Sequence, residues 1–238
     1  MYYGYGMDPT YFLVLIGAML CMAASAKMTG TFSRFSRIRS ASGLTGQEVA
    51  RQILIANGIY DVSVQPVAGQ LTDHYDPSKK TVNLSEVIYQ SGSIAAIGVA
   101  AHECGHAIQD NRDYLPLRLR TAIVPVANIG ANLSWPLILV GLLLAQSGSL
   151  MGGTLLQAGI MMFGLAVLFQ LVTLPVEFNA SSRALKQLEQ LNLLPPEEIP
   201  SARAVLGAAA LTYVASAASS LLQMLRLVLL FGGNRRRD

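Results

Sequence analysis

The sequence predicts a mainly α membrane protein, with transmembrane helices and a small α+β part outside the bilayer that holds a short antiparallel sheet. Three observations predict it. Hydrophobic residues make up 52% of the 238-residue chain and charged residues 13%, roughly half the share of about 25% usual in soluble domains. No Asp, Glu, Lys or Arg occurs in the 56 residues of 121–176. A helix crosses a bilayer with about 20 mostly apolar residues, so this stretch holds two spans and a turn. Between 28 and 120, by contrast, charges and turn signals return, and short amphipathic elements can be read.

Taken in order, residues 9–26 are uncharged and rich in Leu, Ile, Val, Ala and Met. A cleaved leader would need a basic start, and residues 1–9 hold Asp8 but no Lys or Arg, so 1–27 is expected to be an uncleaved anchor. Lys27, Arg34, Arg37 and Arg39 follow with no acid among them. The positive-inside rule places them in the cytoplasm. Thr45-Gly46-Gln47-Glu48 has the capping-box pattern, and the stripe Val49, Ala50, Ile53, Leu54 ends at the stop signal Asn57-Gly58. Residues 62–67 read as a strand, and 70–75 with 79–84 as a hairpin turning at Asp76-Pro77-Ser78-Lys79. An apolar helix is expected over 94–108.

The uncharged stretch reads as a membrane hairpin, with spans at 123–145 and 154–174 and a turn at Gln146-Ser147-Gly148-Ser149. Arg112, Arg118 and Arg120 before it, and Arg183 and Lys186 after it, put both flanks of 121–176 on the cytoplasmic side. Glu177 ends the uncharged run and is expected to open a cytoplasmic helix in 177–203. The last segment, 204–238, is apolar over 204–231, dense in Ala and Ser, and ends in Arg235-Arg236-Arg237. Small residues suit close helix packing. A full crossing would leave the three arginines outside, so this helix is expected to pack on the site and meet the membrane obliquely.

Chemistry concentrates in His102-Glu103-Cys104-Gly105-His106, which takes two of the three histidines. Four residues apart on a helix, His102 and His106 share a face and offer two imidazoles to one metal ion. Glu103 can reach a water at that ion without ligating it, which is the HExxH arrangement of zinc peptidases. Cys104 points away from the shared face and reads as a small buried side chain. Gly105 is unfavourable in a helix by about 0.5–1 kcal/mol relative to Ala, which points to close approach of another backbone or of substrate. Catalytic zinc takes three protein ligands and keeps a position open. Glu177 and His74 are the candidates for the third. Glu177 could instead complement a helix dipole, and His74 could line the cleft, stabilise a tetrahedral intermediate or be an ordinary strand histidine.

Cys21 and Cys104 form no disulfide framework, which suits a reducing compartment. The net charge of +3 is small and the cations flank the spans, so the bilayer is the expected partner and nucleic acid is not. A homo-oligomer or a membrane partner protein is left unspecified. A small transporter is disfavoured, because Arg226 is the one charged residue within the expected spans.

Three segments carry a family resemblance: 73–77 (Asp-His-Tyr-Asp-Pro), 93–109 around the HExxH motif, and 174–181 (Leu-Pro-Val-Glu-Phe-Asn-Ala-Ser). With these the chain resembles the YugP-like neutral zinc metallopeptidases of bacteria over nearly its whole length. More distantly it is similar to HtpX and the CAAX prenyl endopeptidases, gluzincins with a zincin-like metallopeptidase domain and a membrane hairpin. The resemblance implies one Zn2+ per chain, with His102, His106 and Glu177 as ligands and Glu103 as general base. It also implies an endopeptidase in the inner (plasma) membrane, its site on the cytoplasmic side, acting on protein or peptide substrates in or near the bilayer. That wider group has Asp four residues after the ligand glutamate, where this chain has Ser181. A carboxylate orienting a ligand histidine is then missing or supplied by Asp73 or Asp76. His74, Tyr75, Arg203 and Tyr213 are candidates to stabilise the oxyanion, and the strand within 81–85 is either an edge for pairing with substrate or, by its Val82/Leu84 alternation, an ordinary core-facing strand. The rival reading is a non-proteolytic zinc-binding membrane scaffold or adaptor. Its structural zinc would have four protein ligands, and three are visible.

Overall fold

A computed structural model describes residues 8–232. The basic tail at 235–237 lies outside the described residues. The elements are α1 (Tyr11–Ser36), α2 (Gly46–Ala56), β1 (Ser63–Val67), β2 (His74–Asp76), β3 (Thr81–Ser85), α3 (Glu86–Tyr89), α4 (Ile94–Asn111), α5 (Leu115–Gln146), α6 (Leu150–Gln190) and α7 (Ile199–Phe231). Helices α1, α5, α6 and α7 are each long and apolar enough to cross a membrane. The chain is therefore a mainly α membrane protein with a small α+β part, as the composition predicts. It divides into two compact units, the first built from 1–23, 120–172 and 213–238, the second from 24–119 and 173–212.

The described residues of the first unit are helical apart from short turns, and they expose large apolar side chains, among them Phe12, Met19, Leu143 and Met161, all more than 60% exposed. In water such a surface would aggregate; in lipid it is solvated. Its helices meet where side chains are small. A Cβ on Gly159 would come within 2.7 Å of Ile138 Cγ1, and one on Gly17 within 2.6 Å of Ser219 Oγ. Ile138, Leu156, Phe163, Val167 and Leu227 fill the space between them. Arg226 is matched within this unit, 3.8 Å from Asp8 and stacked over Tyr11.

The second unit has a core of the soluble kind. Val49, Ile53 and Leu54 of α2, Val82 and Leu84 of β3, Ile97, Ala100, Cys104 and Ile108 of α4, and Leu188 of α6 are buried together. The capping box holds: Thr45 N–H donates to Glu48 at 2.8 Å. Helix α2 stops as expected, with Gly58 at φ 71° and Ile59 N–H returning to Leu54 O at 2.9 Å. The N-terminus of α7 is tied in by Glu198, which accepts from Ser40 Oγ at 2.6 Å and Ala41 N–H at 2.9 Å.

Three differences from the sequence reading matter for the site. The hairpin β2–β3 is antiparallel, but β1 joins the other side of β3 in parallel, so the sheet is mixed, in the order β1-β3-β2. Strand β3 is thus the central strand, and its 81–85 backbone is not a free edge for substrate. Its residues at 81, 82, 84 and 85 are buried, as a central strand requires. The third difference is at Glu177. It does not open a helix, because α6 runs unbroken from Leu150 to Gln190 through Pro175. At 1.5 Å per residue that is about 60 Å, twice a hydrocarbon layer of about 30 Å. A residue in a helix interior gains nothing from the terminal dipole, so that alternative role for Glu177 falls away.

Candidate metal centre

Helix α4 begins at Ser93, whose side chain accepts from Ala96 N–H at 3.2 Å. It then presents residues 102–106 from within an almost wholly buried helix. The close approach expected at Gly105 is real: a Cβ there would lie 2.5 Å from Ala180 O on α6. That contact lets α6 lie against α4 and brings Glu177 to the two histidines. Glu177 Oε2 is 3.3 Å from His102 Nε2 and 3.6 Å from His106 Nε2. The two imidazoles stand edge-on, 4.8 Å between centroids and 85° between planes.

The ligand atoms of His102, His106 and Glu177 all lie within 4.8 Å of one another. Two imidazole nitrogens and one carboxylate are the donor set of a catalytic zinc site. Tetrahedral zinc with bonds of about 2.0–2.1 Å sets its ligand atoms about 3.3 Å apart. The separations found fit that ion.

Glu103 neighbours the cluster and is 8% exposed. Burial pushes its carboxyl up to about 7, with Glu177 and Asp73 adding to the rise while His102 and a hydrogen bond from Tyr75 N–H oppose it. A carboxyl poised near neutrality suits proton transfer. Cys104 is fully buried against α2, its Sγ 3.5 Å from Ala50 O, and burial pushes its thiol up, so it is a core side chain as expected.

Both candidate ligand histidines have partners on their other nitrogen. His102 Nδ1 lies 3.1 Å from Ser181 Oγ, so the serine standing where the wider group has Asp occupies that place itself. Neither aspartate proposed as a substitute does so. Asp73 accepts from Ser85 N–H at 2.7 Å, and Asp76 accepts from the amides of Ser78 and Lys79 in the hairpin turn. His106 Nδ1 bonds Gln109 Oε1 at 3.0 Å. Gln109, a residue to which the sequence reading gave no role, follows His106 by three residues on the same face, and that spacing was the available signal.

His74 is not brought to the cluster. It pairs with Asn83 on β3, while its neighbour Tyr75 pairs with Val82. Val82 is buried, and Tyr75 Oη donates to Asp110 of α4 at 2.7 Å. Alternation therefore turns His74 to the opposite, exposed face, where Nδ1 meets Thr72 O at 2.7 Å and Nε2 lies 3.3 Å from Asn83 Nδ2. Of the other oxyanion candidates, the Tyr75 hydroxyl is committed to Asp110, and Arg203 and Tyr213 are exposed on α7.

Residues 10–232 match the family model described as putative neutral zinc metallopeptidase. A relative named putative membrane protease YugP, from Bacillus subtilis (strain 168), is 47% identical over 224 residues, 94% of this chain and 97% of its own length. No solved structure matches the chain. Matched along nearly all its length by that model and by that relative, the chain belongs to the putative neutral zinc metallopeptidase family.

Proposed function

We propose that the protein is a zinc-dependent endopeptidase of the inner (plasma) membrane that cuts membrane or membrane-proximal proteins on the cytoplasmic side. The observation that carries this reading is the convergence of His102, His106 and Glu177 beside the buried Glu103. His102, His106 and Glu177 would hold the zinc, which supplies a Lewis acid that acidifies water and polarises a carbonyl. Glu103 takes a proton from the attacking water and returns it to the leaving amine. Strand β2 is an edge of the sheet, and its Tyr75 amide touches Glu103. An extended peptide laid beside β2 would therefore pass the base. The cytoplasmic assignment rests on the cations Lys27, Arg34, Arg37 and Arg39 following the uncharged run 9–26, and on the uncharged tip between α5 and α6.

The test uses the full chain in lipid nanodiscs, loaded with zinc and offered casein or a co-reconstituted single-span protein, with cuts read by mass spectrometry. The wild type should cleave. Glu103→Gln should hold equal zinc by metal analysis and cleave nothing. Cleavage by Glu103→Gln would end the proposed mechanism, and zinc-loaded wild type inert on both substrates would end the peptidase reading.

A further inference from the structure

We propose that Gln109 is a positioning residue for the metal centre, the middle of a hydrogen-bond relay in which Gln109 and Arg183 both donate to Asn179 and the Gln109 oxygen thereby fixes the His106 proton on Nδ1. The inference rests on the metal-site reading above and deepens it. Gln109 is fully buried, and its amide bonds three groups. Oε1 is 3.0 Å from His106 Nδ1, and Nε2 donates to Val176 O at 2.8 Å and to Asn179 Oδ1 at 3.1 Å. Arg183 Nε donates to the same Asn179 oxygen at 2.7 Å.

The direction of every bond is forced. A guanidinium only donates, so the Asn179 atom facing Arg183 is its oxygen. A backbone carbonyl only accepts, so Val176 also presents an acceptor. Two acceptors against one end of the Gln109 amide make that end the NH2. The opposite end is then an oxygen, which accepts and cannot donate. His106 must therefore carry its proton on Nδ1, leaving the Nε2 lone pair facing Glu177. Turning the Gln109 amide over would set its oxygen against two acceptors in a place water does not reach, losing both bonds.

The relay also spans the site. Val176 adjoins Glu177, so one side chain holds the second histidine and the backbone next to the third ligand. His102 differs. Its partner Ser181 has a hydroxyl that both donates and accepts, so it orients the ring without dictating the proton. Of the two histidines at the cluster, His106 is the one whose tautomer is locked. Partners of this kind set metal affinity, their loss costing about 10–100-fold.

The experiment uses full-length protein in detergent, ring-15N-labelled at its three histidines and loaded with zinc. Two quantities are read: zinc affinity by competition with a chromogenic chelator, and the imidazole N–H signals in the downfield proton spectrum. In the wild type the buried His106 N–H should exchange slowly enough to be seen. Gln109→Leu should abolish that signal and weaken zinc about 10–100-fold. Asn179→Asp, which keeps an acceptor for both Gln109 and Arg183, should retain the signal and hold zinc more tightly than Asn179→Leu. Wild-type zinc affinity and signal in Gln109→Leu would overturn the relay. Should that variant fail to fold, equal zinc affinities for Asn179→Asp and Asn179→Leu would overturn it as well. Neither readout needs a substrate. A wild type that binds zinc and shows the signal but cleaves nothing would sink the peptidase reading and leave the relay standing; one that binds no zinc would sink both.

Discussion

Replacing Gly105 by Ala tests the contact that brings the two metal-bearing helices together. The added Cβ would sit 2.5 Å from Ala180 O, 3.0 Å from Ala180 C and 3.1 Å from Ala180 Cα. All three are backbone atoms of a helix interior, so no side chain can swing aside. Restoring ordinary contact means moving α6 off α4 by about 0.9 Å. Glu177 is three residues from Ala180 on that helix and would move with it, whereas metal–ligand bonds tolerate about 0.2 Å. Overpacking costs about 1–3 kcal/mol, and Ala recovers about 0.5–1 kcal/mol over Gly in a helix. The net loss, up to about 2.5 kcal/mol, lowers the thermal midpoint by up to about 10 °C. Zinc affinity should fall at least about tenfold, or about 1.4 kcal/mol. The assays are thermal unfolding in detergent and chelator competition. Gly207→Ala is the control, because its Cβ would meet nothing within 4 Å, and it should be neutral or stabilising. If Gly105→Ala matched that control in midpoint and zinc affinity, the close-packed clasp would be refuted.

Two further outcomes are expected. Ser181→Asp sets a carboxylate beside His102 Nδ1, where the Ser181 hydroxyl stands at 3.1 Å; it should raise ligand basicity and tighten zinc by about tenfold, and chelator competition showing weaker binding would contradict the assigned contact. The start of α2 should loosen in acid. Glu48 is held below its ordinary range by hydrogen bonds from Thr45, so its contribution is present above the unfolded value of 4.5 and is lost as pH falls through the lower folded value. The protection of first-turn amides of α2, taken against their intrinsic exchange rate at each pH, should fall below pH 4.5 in the wild type, and Glu48→Gln should remove that dependence.

Much of this was legible in the sequence because it rests on local pattern. The absence of charge over 121–176 marks a hairpin without any tertiary knowledge. The four-residue spacing of His102 and His106 places them on one face, and the capping box and Asn57-Gly58 bound α2. What was missed depends on contacts between distant segments. An acid after an apolar run reads as a helix start, but Glu177 lies inside α6 because no Gly or Asn stop interrupts the chain there and Pro175 is accommodated. Strand order cannot be read from strands of three to five residues, so the sequence leaves β3 open between an edge and a core-facing strand. Gln109 reads as one polar residue on an apolar helix. Its meaning comes from Val176 and Asn179, 67 and 70 residues away.

The clasp between α4 and α6 also separates the peptidase reading from the scaffold reading. It is made at three neighbouring levels: Gly105 against Ala180, Gln109 on Val176 and Asn179, and Ser181 at His102. Around it Ala184, Leu188, Ala101 and Ile108 are buried in one apolar core. The Gly105 and Gln109 contacts and that core use no ligand atom, so the helices are held by groups other than those that would bind the ion. A structural ion, by contrast, supplies the folding free energy of its domain, which unfolds when the ion is removed. Stripping zinc from the full chain with a chelator should therefore leave helix content unchanged. The thermal midpoint should fall only by the amount mass action assigns to a bound ligand, about 2.7 kcal/mol at a free zinc concentration of 100 times Kd. Circular dichroism and thermal unfolding before and after chelation measure both. Loss of helix on chelation at room temperature would favour the structural ion, and with it the adaptor over the enzyme.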